Sequence, residues 1–166
     1  MKSKLKAIKN SPVPDASNSA DLITNADKLP GNKDAFLSFN NQVSILYVED
    51  NVFNQTLGRK VLKNLGCICE IANSGVEALE LLSVKSYDLV LMDINMPVLD
   101  GLETTKYIRE KLKLQLPVIA VTTNCMDEDV ENCRMAGMND HVAKPYSQAQ
   151  LFSIIYKWCK VAGMPL

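Results

Sequence analysis

The sequence predicts an α/β fold, a doubly wound layer of five parallel strands covered by helices, preceded by a disordered N-terminal tail. Three observations carry that expectation. From residue 43 onward, short apolar runs alternate with amphipathic helical patterns, the signature of repeated βα units. Several of the runs are almost wholly apolar, as strands covered on both faces must be. Helix start signals follow the strands and loops, so each run is succeeded by a helix rather than a hairpin partner. At 166 residues the chain suits one domain, which at this size buries about two-thirds of its unfolded surface.

In chain order, residues 1–42 hold clusters of Asn, Ser, Pro, Asp and Lys, few aromatics and no sustained period. Such a segment cannot bury enough apolar surface to offset chain entropy and reads as a tail. Lys2, Lys4, Lys6 and Lys9 can touch anionic lipid or an acidic partner, or simply stay solvated. A short helix over 33–39 would need the surface of the body to pack on. The predicted strands are 43–48, 68–72, 89–92, 118–122 and 141–143. In the first helix Phe53, Leu57, Val61 and Leu65 recur every four residues and are expected to pack on the sheet. In the last, Leu151, Ile154, Ile155 and Trp158 follow the i, i+3, i+4, i+7 pattern. Ser74 with Glu77, Asp100 with Glu103 and Ser147 with Gln150 each fit a capping box or its Asp variant. Gly66 and Gly137 stand where helices end.

Composition narrows the function. The chain is 47% hydrophobic and 22% charged with a net charge of -1, so nucleic acid is not an expected partner. Its five cysteines, Cys67, Cys69, Cys125, Cys133 and Cys159, form no C-x-x-C pair and predict neither zinc nor a disulfide framework. Each is expected as a small core hydrophobe. With no signal-peptide core and no run of 18 apolar residues, a soluble protein of the reducing cytoplasm without a transmembrane segment is expected. Met1 reads as a natural terminus, and with no output domain after Leu166 function must pass through contacts.

In doubly wound folds, catalytic groups gather at the carboxyl ends of strands. Here those ends are Glu49 and Asp50, then Asp93, then Thr122 and Thr123, then Lys144. Three carboxylates at one sheet edge repel each other unless a cation intervenes, and Mg²⁺ suits all-oxygen ligands. Asp50 and Asp93 can ligate directly, the carbonyl of Asn95 can be a third protein oxygen, and Glu49 can act through a water. Lys144 and the Thr122 hydroxyl supply what a phosphoryl group needs opposite that ion. Asp93 is then the nucleophile, and an ionised carboxylate requires no general base.

These residues lie in stretches that resemble the receiver domain of two-component response regulators. The matching stretches are Ile45 to Asn51, Asp93 to Gly101, Pro117 to Thr122, Ala136 to Asp140, and Lys144 with Pro145, in receiver order and spacing across residues 43–163. The resemblance implies a flavodoxin-like sheet in the order 2-1-3-4-5 and a cis Lys144–Pro145 bond. It also implies Mg²⁺-dependent phosphorylation of Asp93 from a histidine kinase or histidine phosphotransfer protein. The segment Asn51-Val52-Phe53-Asn54-Gln55 resembles the hybrid-kinase and phosphorelay branch, in which the phosphotransfer protein docks on the first helix. Signal output toward an unidentified protein target would pass through the fourth helix, fifth strand and last helix. The domain would support only its own phosphorylation and dephosphorylation, without being an enzyme for an external substrate.

Two positions depart from the family pattern. Thr123 stands where a small Ala or Ser is usual, and His141 stands where many receivers have a Tyr or Phe that turns inward. Two other functions compete with the receiver. An aspartate-nucleophile phosphatase generally carries a second Asp two residues after the nucleophile, where this chain has Asn95. A scaffold that binds without phosphorylation would not need Glu49, Asp50, Asp93, Thr122 and Lys144 together.

Overall fold

The structure, a computed structural model, describes residues 39, 42–123 and 126–163. Strands and helices alternate without exception: β1 (Ser44–Val48), α1 (Val52–Asn64), β2 (Ile68–Ala72), α2 (Gly75–Val84), β3 (Leu89–Asp93), α3 (Gly101–Glu110), β4 (Val118–Thr122), α4 (Asp127–Ala136), β5 (Asp140–Ala143) and α5 (Gln148–Val161). All pairings are parallel and the order is β2-β1-β3-β4-β5, as the family resemblance implied. β1 begins one residue later than predicted, β3 runs on through Asp93 and β5 begins one residue earlier.

The pleat divides the apolar strands between two cores. Ile45, Tyr47, Leu89, Leu91, Ile119 and Val121 face α1 and α5, where they meet Leu62, Leu65, Leu151, Ile155 and Cys159. Leu46, Val48, Val90, Met92, Val118 and Ala120 face the other way, toward Ala78 and Leu82 of α2, Ile108 of α3 and Cys133 of α4. Burial on both faces explains the unbroken apolar runs in β3 and β4.

The predicted stripe on α1 is corrected. Phe53 is 75% exposed and Leu57 51% exposed, whereas Gly58, Leu62 and Leu65 are buried. A strict four-residue repeat drifts by about 40° per step on a helix of 3.6 residues per turn, so one face cannot hold all four side chains. Gly58 sets the buried face instead, because a Cβ there would lie 2.3 Å from the Tyr47 ring. In α5 the buried line is Leu151, Ile155 and Cys159, with Ile154 and Trp158 half-buried beside it.

Only one of the three predicted capping boxes is reciprocal. Ser147 accepts from the Gln150 N–H at 3.2 Å while its own N–H donates to the Gln150 side chain at 2.9 Å. Ser74 and Asp100 accept from Glu77 and Glu103 N–H groups. Glu77, however, turns its carboxylate to the backbone and side chain of Asn73. Gly66 (φ 69°) and Gly137 (φ 93°) take the left-handed conformation just past α1 and at the end of α4. The Lys144–Pro145 bond is cis.

Phe39 lies upstream of the predicted boundary at 43, yet its ring is buried and stacks on Phe152 with centroids 4.9 Å apart. Its N–H donates to the Leu65 carbonyl at 2.8 Å. The rest of the 33–39 helix, nearly all of the 1–42 tail and Cys125 lie outside the described residues. Cys67, Cys133 and Cys159 are buried and Cys69 is half-buried. Among the described residues no helix is long and apolar enough to cross a membrane.

Candidate functional site

Each predicted site residue reaches the same sheet edge because its strand ends there. β1 ends at Val48, and Glu49 continues the ladder once more through its N–H to the Ala72 carbonyl at 3.0 Å. The chain then turns at Asp50, and Asn51 caps α1 by accepting from the N–H groups of Phe53 and Asn54. β3 delivers Asp93 as its last residue, beside Val121 of β4. Gly101 lets α3 start against that end, since a Cβ would sit 2.2 Å from the Asp93 carbonyl oxygen. β4 ends at Thr122, whose carbonyl accepts from the Lys144 N–H at 2.7 Å and so draws the end of β5 alongside.

Lys144 is the centre of charge. Its Nζ lies 2.7 Å from Glu49 Oε2 and 2.7 Å from Asp93 Oδ2. Glu49 is completely buried, and both of its oxygens are doubly engaged. Oε1 accepts from the Asn51 N–H at 3.3 Å and Asn54 Nδ2 at 3.0 Å, and Oε2 accepts from Lys144 and from the Tyr47 hydroxyl at 3.1 Å. Asp93 is 5% exposed and accepts from the Asn95 N–H at 3.2 Å. Asp50 is exposed, and one oxygen each from Glu49, Asp50 and Asp93 fall within 4.8 Å of one another.

The same burial acts differently on the two buried acids. At Glu49 desolvation works to raise the pKa, but hydrogen bonds from Lys144 and Asn54 overcome it and hold the carboxyl below its ordinary value. At Asp93 desolvation prevails over Lys144, assisted by the negative charge of Glu49, and the carboxyl is raised. Burial works to lower the Lys144 pKa, but its bonds to Asp93 and Glu49 more than offset this and the ammonium is held charged. Glu49 is thus the fixed anion of the pair, and Asp93 is the less comfortable one.

Three carboxylates against one ammonium leave an excess of negative charge. The donors are all hard oxygens, with Asp50 on the open side, so the set fits a divalent cation of the Mg²⁺ type. Thr122 is buried, Thr123 is exposed, and both stand at the end of β4 as predicted. Beside them a cavity of about 200 Å³ is lined by Asn95, Thr122 and, from α4, Asp129, Asn132 and Cys133. His141 is half-buried on β5, opposite Ala120, two residues before that strand ends.

Sequence reasoning singled out neither Tyr47 nor Asn54 as a partner of Glu49. The signal for Tyr47 was present: residues two apart on a strand point the same way, so a tyrosine at 47 shares a side of β1 with position 49. Asn54 needed the geometry of the α1 cap, which a sequence pattern does not fix.

Comparison with known proteins agrees with this architecture. Residues 45–156 match the response regulator receiver domain family. The chain is 42% identical over 117 residues to two-component system protein A of Emericella nidulans, covering 69% of this chain and 17% of that protein. It is 42% identical over 120 residues to the sensor histidine kinase RcsC of Escherichia coli, covering 72% of this chain and 12% of that protein. The chain therefore spans less than a fifth of the length of these relatives. Among solved structures, the receiver domain of the Pseudomonas aeruginosa sensor histidine kinase PA1611 holds magnesium in its active-site cleft. It superimposes with a TM-score of 0.66 at 41% identity, covering 71% of this chain and 98% of that one. The receiver of Ssk1 from Saccharomyces cerevisiae, solved in complex with the histidine phosphotransfer protein Ypd1, gives a TM-score of 0.66 at 28% identity, covering 71% and 89%. By sequence, fold and the arrangement of its strand ends, the chain belongs to the response regulator receiver domain family of two-component systems.

Proposed function

We propose that this receiver, residues 43–163 with Phe39 of the preceding 1–42 tail packed onto it, accepts a phosphoryl group on Asp93 from a phosphohistidine. The partner would be a histidine kinase or a histidine phosphotransfer protein, and the phosphorylated form would signal through contacts with a downstream protein. The observation that carries the reading is the Lys144 ammonium held 2.7 Å from both Asp93 and Glu49 at the common end of β1, β3 and β5. It fixes a cation where the charge of an incoming phosphoryl group develops.

A carboxylate oxygen of Asp93 forms the new P–O bond, and the P–N bond to the donor imidazole breaks with its electron pair leaving on the nitrogen. Asp50, Asp93 and the carbonyl of Asn95 would hold Mg²⁺, with Glu49 acting through a water; the ion, when bound, offsets the repulsion between anionic nucleophile and anionic phosphoryl group. Lys144 follows the transferred charge, Thr122 donates toward a phosphoryl oxygen, and burial of Asp93 strengthens both interactions. Thr123 and His141 sit where the change in charge would be passed to the α4, β5 and α5 surface. Nothing beyond its own phosphorylation and hydrolysis is assigned to the domain, and a cytoplasmic location fits such partners.

The outward face of α1 supports the partner surface. Val52, Phe53 and Leu57 are exposed at 70%, 75% and 51% on the helix whose cap touches Glu49. That apolar patch beside a buried acceptor suits the docking of a histidine phosphotransfer protein. The test of the acceptor is direct: with Mg²⁺ and acetyl phosphate the protein should gain one acid-labile phosphoryl group, and Asp93→Asn should gain none. Labelling of the variant at the normal level would refute Asp93 as acceptor.

A further inference from the structure

We infer that Tyr47 is a positioning residue for phosphoryl transfer: its hydroxyl, braced by Tyr146, fixes the Glu49 carboxylate and through it the Lys144 ammonium. The inference rests on the reading of Asp93 as acceptor and Lys144 as its cation.

The geometry forms one chain of polar contacts. The Tyr146 hydroxyl lies 3.4 Å from the Tyr47 hydroxyl, to which it donates; the Tyr47 hydroxyl donates to Glu49 Oε2 at 3.1 Å; the same oxygen accepts from Lys144 Nζ at 2.7 Å; and Nζ reaches Asp93 at 2.7 Å. Donation from Tyr146 polarises the Tyr47 hydroxyl in favour of its own bond to Glu49, and Lys144 donates to the same carboxylate oxygen from the other side. Glu49 Oε2 therefore has two donors that define its position, while Asn51 and Asn54 hold Oε1. Without Tyr47, the Oε2 end is held by Lys144 alone, and the carboxylate and ammonium can shift together away from Asp93.

Two further observations set Tyr47 apart from an ordinary core residue. Tyr47 is fully buried on a strand whose other core positions are Ile45, Leu46 and Val48, so an aliphatic side chain would suffice for packing, and a phenol must instead find a hydrogen-bond partner. The ring also needs space that α1 provides at the expense of helix propensity. A Cβ on Gly58 would lie 2.3 Å from Tyr47 Cε1 and 3.1 Å from the Tyr146 hydroxyl, so the glycine in mid-helix accommodates both tyrosines. Tyr146 follows Lys144 and Pro145 directly, so the brace and the ammonium move on the same short segment.

The experiment compares wild type, Tyr47→Phe and Tyr146→Phe, each normalised to its folded fraction. The rate of labelling by acetyl phosphate is measured at saturating donor and Mg²⁺, and the Lys144 NH₃⁺ signal is followed in ¹⁵N-detected lysine NMR spectra of the unphosphorylated protein. Tyr47→Phe is expected to slow labelling about tenfold at saturating donor, the scale of one hydrogen bond to a charged group, with the half-saturating donor concentration unchanged. Its Lys144 signal should broaden or vanish through faster exchange, and Tyr146→Phe should fall between the two. Wild-type labelling per folded molecule in Tyr47→Phe, or a slower rate with an unchanged Lys144 signal, overturns the inference. Failure of the wild type itself to be labelled would count against Asp93 as acceptor, while the NMR comparison would still decide whether Tyr47 fixes Lys144.

Discussion

Val98 shows how a single residue can oppose the backbone it occupies. It lies in the loop between Asp93 and α3 with φ 70°, and its side chain is 96% exposed. A β-branched residue is a poor occupant of the left-handed region, where the cost for L-residues is roughly 1–2 kcal/mol. Exposure means that no core packing repays it. Val98→Asn should therefore stabilise the protein by about 1 kcal/mol, because asparagine tolerates this conformation and loses no burial. Urea denaturation would show a higher midpoint with an unchanged slope; a lower midpoint would mean that the valine is held by something other than the loop. The buried acids at this scale behave in opposite ways. Glu49, with four donors, is stabilised as an anion, whereas desolvation leaves Asp93 as the carboxylate with most to gain from a new cation or a covalent bond.

Helix α1 separates packing from recognition on a single element. Leu62 is fully buried, while Phe53 and Leu57 face outward beside the site. Truncating Leu62 to Ala should cost about 2–5 kcal/mol, the range for a buried leucine. Phe53→Ala and Leu57→Ala should each stay within about 0.5 kcal/mol of wild type, as exposed positions do. If the outward face receives a phosphotransfer protein, the two surface variants should slow transfer from a phosphorylated histidine phosphotransfer domain at least several-fold. Their labelling by acetyl phosphate, which needs no docking, should be unchanged. Equal loss with both donors would place the defect in the site rather than at the interface. This division could not be read from the four-residue repeat, because periodicity records that a helix has apolar residues in line but not which line the sheet covers. Gly58 was the better guide, since close approach to Tyr47 requires the missing side chain.

Across the whole molecule, the sheet was legible because burial on both faces leaves unbroken apolar runs, and the ends of those runs named Glu49, Asp50, Asp93, Thr122 and Lys144. What escaped was set by contacts distant in the chain. Phe39 joins the core through Leu65 and Phe152, and Tyr47 meets Tyr146 across 99 residues. The same dependence on assembly makes Gly101 informative. It begins α3, its N–H donates to the Ile94 carbonyl at 3.0 Å, and an added Cβ would stand 2.2 Å from the Asp93 oxygen and 2.9 Å from Ile94 Cα. Those neighbours are backbone at the end of a central strand with β1 on one side and β4 on the other, so they cannot yield as a surface side chain would. Alanine favours a helix over glycine by about 1 kcal/mol, but the overlap should outweigh that gain and leave Gly101→Ala destabilised by about 1–3 kcal/mol. Either α3 moves outward or the end of β3 shifts, and in both cases Asp93 is displaced from the Lys144 ammonium. Labelling by acetyl phosphate, measured per folded molecule, should therefore fall together with the urea midpoint. A variant that loses stability yet labels at the wild-type rate would show that the end of β3 holds Asp93 in place independently of α3.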